Sequence, residues 1–207
     1  MDIQNISFNN NHYYIITFDS NSYKLYAPYF KNKNICDPDY IDETLENLSY
    51  QSIEDEGHYG FFLFDDESKI RAVLIFDFNC TMNYNSIIKY TDINDSGEIT
   101  LLCSNKKHQE KGLTFFFSKY VIENIIPQIK PIKHIFLYVA EGHNKNVPNE
   151  EKNQIAISFY KKLGFKPLQP GSRIFSYNYE NHRGGKYNKT KNKRKQVRKY
   201  SCRTLRK

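Results

Sequence analysis

The sequence has no tryptophan, only nine glycines and only four cysteines among 207 residues. The cysteines are Cys36, Cys80, Cys103 and Cys202, which lie far apart and form no CxxC pair. Zinc sites and disulfide frameworks depend on closely or regularly spaced cysteines. The sequence therefore predicts no zinc site, no disulfide framework and a reducing, intracellular compartment.

Long apolar runs and a secretory leader are also missing. No apolar stretch approaches the roughly 20 residues that a membrane-spanning helix needs. The first five residues lack the basic region and apolar run of a secretory signal. The six histidines show no spacing typical of metal ligands. We therefore expect no membrane partner and no bound metal.

Acidic residues are absent from residues 183–207, which contain 12 of the 30 Lys and Arg residues. The remaining chain has 18 basic residues against all 23 acidic ones, so its net charge is −5, whereas the whole chain has +7. The basic character of the protein thus comes from this segment alone. We predict one globular domain over residues 1–182 and a basic, disordered tail over residues 183–207.

The composition of this tail is typical of segments that contact nucleic acid without sequence specificity or that direct a protein to the nucleus. The tail also resembles, in composition, the C-terminal tails of proteins from large DNA viruses that infect amoebae. That resemblance would imply a place in the host cell or the virion. Apart from that resemblance, the sequence predicts a location in the cytoplasm or nucleus.

Hydrophobic periodicity predicts an α+β domain. Helices are expected over residues 23–30, 40–50, 113–126 and 153–163, and strands over 13–18, 59–64, 71–78, 98–103, 135–139 and 173–179. Pro127 should end the third helix, because proline disfavours helical conformation in the residue before it. A single strand–loop–helix–strand unit within an otherwise antiparallel order implies one parallel crossover.

The segment from Asn105 to Gly112 is a polar loop that opens directly into the third helix. It contains Lys106, Lys107, His108 and Lys111. Amide groups and the dipole at a helix N-terminus bind anions, and a glycine lets an anion approach the backbone closely. The loop is therefore a candidate phosphate site, although a simple turn would explain the same glycine.

Two motifs resemble those of the GNAT-type N-acetyltransferases. Gln109-Glu110-Lys111-Gly112-Leu113-Thr114 is similar to the pyrophosphate motif of that family, with threonine in place of a final glycine or alanine. Residues 153–165, from Asn153 to Phe165, resemble its second signature. The resemblance covers about residues 55–180. It implies a GNAT-like mixed, mostly antiparallel sheet with helices on both faces and a V-shaped splay between two central parallel strands.

The resemblance also implies acetyl-CoA as co-substrate, held in that splay. Backbone groups of Leu102, Cys103 and Ser104 would contact the acetyl group and pantetheine arm, and the Gln109–Thr114 loop would bind the pyrophosphate. Asn153 would contact the cofactor at the start of its helix, where it could equally be an N-cap. An acyl-cysteine on Cys103 is disfavoured, because a buried strand cysteine is normally a small apolar side chain.

The family's tyrosine position is occupied by Tyr160, which would protonate the leaving thiolate, although it also belongs to an apolar helical stripe. Glu98 is the candidate base, eleven residues before Gln109, a spacing found in the histone-acetyltransferase branch. Glu141 and His143 are rivals for that role. The sequence thus favours an acetyl-CoA-dependent N-acetyltransferase that acts by direct attack.

The acceptor would be a primary amine on a small molecule or a protein. The alternative hypothesis is a non-catalytic, GNAT-like binding module that docks to nucleic acid through its basic tail.

Overall fold

The computed structural model describes residues 2–23, 25, 57–79, 95–104, 111–139 and 149–182. The predicted helix over residues 40–50, most of that over 23–30, and the tail from residue 183 onward lie outside these ranges. Within the described ranges, no helix has the length and apolar character required to cross a membrane.

The described strands form one eight-stranded sheet in the order β1-β2-β3-β4-β5-β6-β8-β7. The strands are β1 Asp2–Phe8, β2 Asn11–Asp19, β3 His58–Asp65, β4 Ile70–Asp77, β5 Ser96–Ser104, β6 His134–Tyr138, β7 Lys166–Pro167 and β8 Ile174–Asn178. Neighbouring strands are antiparallel except for β5 and β6, which are parallel. The predicted α+β class with one parallel crossover is confirmed.

The described helices are α1 Leu113–Tyr120, a π-helix Val121–Ile125, α2 Ile126–Ile129, α3 Asn149–Lys162 and α4 Tyr179–His182. Leu74 and Phe76 of β4 belong to the large apolar cluster formed with α1, the π-helix and α3, so we call their side of the sheet the helical face. Val73 and Ile75 point to the other side, because side chains alternate along a strand. There they join a second cluster that includes Tyr23, and we call this side the second face.

Sequence periodicity does not predict β1, which forms a hairpin with β2. The hairpin turn is Asn9-Asn10, and both residues adopt positive φ angles, 48° and 66°. Two left-handed residues make the tight turn that suits the twist of paired strands, and asparagine tolerates this conformation well. The Asn-Asn pair is therefore the signal in the sequence that could have revealed β1.

A β-bulge interrupts the pairing of β4 with β5. Phe76 pairs with Ile99, but Ile75 pairs with Leu101, so Thr100 is an extra residue on β5. A bulge bends its strand and increases the local twist. This bend lies at the point where β5 leaves β6.

The two parallel strands separate beyond the bulge. The register of β5 with β6 ends at the pair Ile99–Leu137, whereas β5 continues along β4 as far as the pair Ser104–Ala72. The predicted V-shaped splay between two central parallel strands is therefore present, and its closed end lies at Ile99.

The prediction that Pro127 ends a helix is wrong, because the helix passes through it. The N–H of Ile126 donates to the carbonyl of Val121, which is the i→i+5 spacing of a π-helix. With the same spacing, the carbonyl of Ile122 would accept a hydrogen bond from residue 127, but Pro127 has no N–H to donate. The Tyr179 hydroxyl donates to that carbonyl at 2.6 Å and replaces the missing donor.

Candidate active site

The start of α1 is an exposed helix terminus with a glycine N-cap. Gly112 is its N-cap, with φ 88° and ψ −6°, and no side chain of the described residues caps the helix. The N–H of Phe116 donates to the Gly112 carbonyl at 2.9 Å, which closes the first turn. The first N–H groups of a helix have no partner within it, and the helix dipole makes this end positive. Lys111, exposed directly before Gly112, adds a full positive charge.

Aromatic contacts hold this helix terminus in place. The Phe8 and Phe116 rings lie 5.0 Å apart and fix α1 against β1. The Phe115 and Phe159 rings lie 6.1 Å apart and join α1 to α3. Between these two helices runs a groove of about 610 Å³, lined by Gly112, Phe115, Gln154, Ile155, Ser158, Phe159 and Lys162.

The structure brings part of the predicted cofactor loop to this terminus. Lys111, Gly112, Leu113 and Thr114 lie at the start of α1, with Leu113 buried in the core and Thr114 partly exposed in the first turn. Gln109 and Glu110 lie outside the described residues. Leu102, Cys103 and Ser104 occupy the end of β5, beyond its pairing with β6.

Cys103 is disulfide-bonded, although the sequence predicts no disulfide framework. Distances along the sequence do not show which cysteines meet in space, so wide spacing could not exclude a pairing. As a disulfide, Cys103 has no thiolate, which argues further against an acyl-cysteine in this state.

The prediction that Asn153 starts its helix is also wrong. The helix α3 begins at Asn149, so Asn153 lies inside it and is not an N-cap. Pro148 precedes the helix directly in the sequence, and Glu150 and Glu151 fall in its first turn. A proline and acidic residues at these places are typical of a helix N-terminus.

Tyr160 packs on the helical face, three residues before the end of the helical stripe at Leu163. Its ring makes edge contacts with Phe159 and Phe165, at centroid distances of 5.5 and 5.9 Å. The side chain is partly buried against the main core. Burial raises the pKa of Tyr160 to about 12, so the phenol stays protonated at neutral pH.

Glu98 lies at the closed end of the splay, one residue before Ile99. It pairs with Asp77 on β4 and with Phe136 on β6. Its neighbour Ile99 joins the core on the helical face, and alternation along β5 therefore directs Glu98 to the second face. Only 8% of Glu98 is exposed, which is unusual for a carboxylate unless it has a structural or chemical role.

The candidate acid and the candidate base thus lie on opposite faces of the sheet. Tyr160 reaches the sheet from α3 on the helical face, and Glu98 points from β5 to the second face. The separation of β5 from β6 begins one residue after Glu98, beyond the pair Ile99–Leu137. Glu141 and His143, the rival bases, lie outside the described residues.

Sequence reasoning missed two buried titratable residues beside Glu98. His58 pairs with Asp77 across β3 and β4, and His58 Nε2 lies 3.4 Å from Asp77 Oδ2. No local motif marks them, because eighteen intervening residues of strand and turn separate them. Among the residues that the structure describes, no group of three or more His, Cys, Asp or Glu side chains could hold a metal ion.

Comparison with known proteins finds similar structures but no match by sequence. No protein-family model matches the chain, and no curated protein matches it. A solved chimera of the spermidine N-acetyltransferase SpeG from Vibrio cholerae and hSSAT has a TM-score of 0.51 at 16% identity, covering 83% of this chain and 98% of the other. The fold is that of the GNAT-type N-acetyltransferases.

Two further solved structures share this GNAT-like fold. A protein described as a bacterial toxin matches with a TM-score of 0.52 at 16% identity, covering 83% of this chain and 93% of its own. An uncharacterised protein from Bacillus halodurans matches with a TM-score of 0.54 at 11% identity, covering 86% and 91%. At these identities the similarity concerns the GNAT-like architecture, and the chemistry must be argued from the site.

Proposed function

We propose that this chain is an acetyl-CoA-dependent N-acetyltransferase that moves an acetyl group to a primary amine by direct attack. The observation that carries the proposal is the separation of β5 from β6 after Ile99, combined with the uncapped helix start at Gly112. A cleft between two parallel strands and a nearby positive helix terminus suit a long substrate with an anionic end. The GNAT-like fold supports the same conclusion.

The residues at the helix start fit the diphosphate of acetyl-CoA. Gly112 presents no side chain, and among the described residues a Cβ placed there would have only Phe8 Cζ within 4 Å, at 3.6 Å. As far as the described residues go, its backbone therefore leaves room for an anion to come close. We assign the pyrophosphate to the segment Gln109–Thr114 and a further cofactor contact to Asn153.

Backbone groups of Leu102, Cys103 and Ser104 would border the pantetheine arm, since they follow the point where the strands part. Acetyl-CoA supplies an acetyl group that is activated as a thioester. The protein must then accept a proton from the acceptor ammonium and supply one to the leaving sulfur. Glu98 takes the first role on the second face, and Tyr160 takes the second role on the helical face.

Substituting alanine at Gly112 tests the helix terminus. At φ 88° a Cβ costs about 1–2 kcal/mol of folding stability. It also keeps an anion away from the first N–H groups, and losing one charge-assisted hydrogen bond weakens binding about 10-fold or more. We therefore expect Gly112→Ala to bind CoA at least that much more weakly in calorimetric titration.

Gly171→Ala is the matched control, because Gly171 has a similar φ of 77° and no atom of the described part of the chain lies within 4 Å of the added Cβ. It should lose similar stability and keep the CoA affinity of the wild type. Equal affinities in the two variants would show that the start of α1 does not hold the pyrophosphate.

Acetyl transfer itself is measured as thiol release from acetyl-CoA with a panel of amines. The panel should contain a lysine peptide, a protein N-terminal peptide and spermidine, the last because a solved structure with this fold is a spermidine N-acetyltransferase. We expect amine-dependent thiol release that saturates in both substrates. Thiol release that does not depend on any amine would contradict direct transfer.

The alternative, a binding module docked to nucleic acid, depends on residues 183–207, which lie outside the described residues. A contact of this tail with nucleic acid and an intracellular location stay predictions from the sequence. They are compatible with the enzymatic proposal, which the described site favours.

A further inference from the structure

The groove between α1 and α3 begins at the helix start that we assign to the diphosphate. Gly112 lines its α1 side, and Ile155 and Lys162 line its α3 side. Its volume of about 610 Å³ lies within the range of about 300–1,000 Å³ that is typical of ligand pockets. The acetyl group and the pantetheine arm border β5, so they do not account for this groove.

The helix α3 turns one side to the core and another to the groove. Ala156 and Tyr160 pack against the main core. Ile155, Ser158 and Lys162 follow one another at spacings of three and four residues, which places them together on a different side of the helix. All three are exposed and line the groove. The groove therefore runs along the side of α3 that faces away from the core.

The floor of the groove is apolar and its rim is polar. Ile155 is 66% exposed and lies beside the half-buried rings of Phe115 and Phe159, which also line the groove. Gln154 and Lys162 contribute polar groups. An apolar surface with a few polar groups at defined places is typical of sites for small molecules and cofactors.

The charge along the groove is positive. Lys162 contributes a full charge, and the start of α1 at Gly112 contributes a partial one through the helix dipole. No acidic residue of the described part of the chain lines the groove. Ile155 and Lys162 are seven residues apart, which corresponds to about 10 Å along a helix axis. This separation is on the scale of one nucleotide.

We propose that the groove holds the 3′-phosphoadenosine end of acetyl-CoA, with the adenine against Ile155 and the 3′-phosphate at Lys162. This assignment rests on the proposed function of the site. In CoA the diphosphate joins the pantetheine arm to the ribose. A diphosphate at Gly112 therefore directs one arm to β5 and leaves the nucleoside at the groove.

The 3′-phosphate makes Lys162 a residue that determines cofactor specificity. A phosphate monoester carries a charge of about −1.5 to −2 at neutral pH, and lysine binds phosphate as a point charge. Lys162 thus favours CoA over the analogue 3′-dephospho-CoA, which keeps every other group of the cofactor.

The test measures binding of CoA and 3′-dephospho-CoA to the full chain by calorimetric titration. Low ionic strength is used, because salt screens exposed ion pairs. The wild type should bind CoA about 5- to 10-fold more tightly, as expected for one hydrogen bond to a charged group. Lys162→Gln should lose that factor for CoA and keep the wild-type affinity for 3′-dephospho-CoA. The preference for CoA then disappears.

Lys161→Gln is the matched control. Lys161 shares the last turn of α3 with Lys162 but does not line the groove, so its variant should keep the full preference for CoA. A wild type without preference, a Lys162→Gln variant that keeps it, or equal weakening of both ligands would overturn the role of Lys162. A wild type that binds neither ligand would overturn the proposed function, and this assignment with it.

Ile155→Ser tests the position of the adenine. Loss of the apolar contact should weaken CoA and 3′-dephospho-CoA equally, by about 5-fold. Binding of 4′-phosphopantetheine, which has no adenosine, should not change. Ile3→Ser, at a residue of β1 that is 52% exposed, should bind all three ligands as the wild type does. Unchanged CoA affinity in Ile155→Ser would overturn the place of the adenine.

Discussion

Tyr160→Phe should lower kcat for acetyl transfer about 10²- to 10³-fold, which is typical for loss of a general acid. The KM for acetyl-CoA should change little, because the phenol interacts with the sulfur mainly as negative charge develops on it. The ring contacts with Phe159 and Phe165 do not need the hydroxyl. The fold should therefore tolerate the substitution.

The raised pKa of Tyr160 determines how this residue affects the folding stability and kcat at different pH values. Burial raises its pKa from 10.0 to about 12, so the protonated form persists in the folded protein where the unfolded chain would lose its proton. The stability that this contributes is present below pH 10 and disappears as the pH rises toward 12. Tyr160 should therefore cause no decline of kcat below about pH 10.

Tyr120→Phe is the matched control for this prediction. Tyr120 is also partly buried against the main core, but it lies at the far end of α1 from Gly112. Its variant should keep the wild-type kcat. If Tyr160→Phe also kept the wild-type kcat, Tyr160 would be only a member of the apolar stripe on α3.

Glu98→Gln is the second substitution with a large expected effect. At neutral pH the acceptor is mostly an ammonium, and without a base kcat/KM for the amine should fall about 10²- to 10³-fold. At higher pH a growing fraction of the amine is already deprotonated, so the ratio of wild-type to variant kcat/KM should shrink. A structural defect would not produce this convergence.

Glu123→Gln is the control for loss of a carboxylate, since Glu123 is well exposed on the π-helix and pairs with Lys119. It should behave as wild type at every pH. A Glu98→Gln variant with full kcat/KM at neutral pH would exclude Glu98 as the base. Glu141 and His143 would then be the next residues to substitute.

The sequence predicts those strands and helix ends that depend on local residue patterns. Short runs of apolar, β-branched and aromatic residues identify β2, β3, β4 and β6, and the Gly112 and Gly164 positions identify the start of α1 and the end of α3. Both glycines have the positive φ that those positions require, 88° and 100°. The two short motifs point to the GNAT-like fold because both fall beside such element boundaries.

Features that depend on contacts between distant segments could not be predicted. The bulge at Thr100 and the separation of β5 from β6 depend on the register of three strands. The helix passes Pro127 because the Tyr179 hydroxyl, 57 residues from Ile122, satisfies the carbonyl of Ile122. Only pairing across the sheet brings His58 and Asp77 into one row with Glu98.

Asn153 illustrates a different limit of prediction from sequence motifs. The family signature fixes its position along the sequence, but the helix starts four residues earlier at Asn149. A motif can therefore locate a segment correctly and still misplace the end of its helix. The role of Asn153 in cofactor binding stays a proposal.

Binding of acetyl-CoA by the wild-type chain tests the central proposal most directly. Calorimetric titration should give one saturable site, and the protein should unfold at a higher temperature with acetyl-CoA present. At a concentration 100 times the Kd, the gain in the free energy of unfolding should be about 2.7 kcal/mol. No heat of binding and no thermal stabilisation at millimolar acetyl-CoA or CoA would contradict the proposed function.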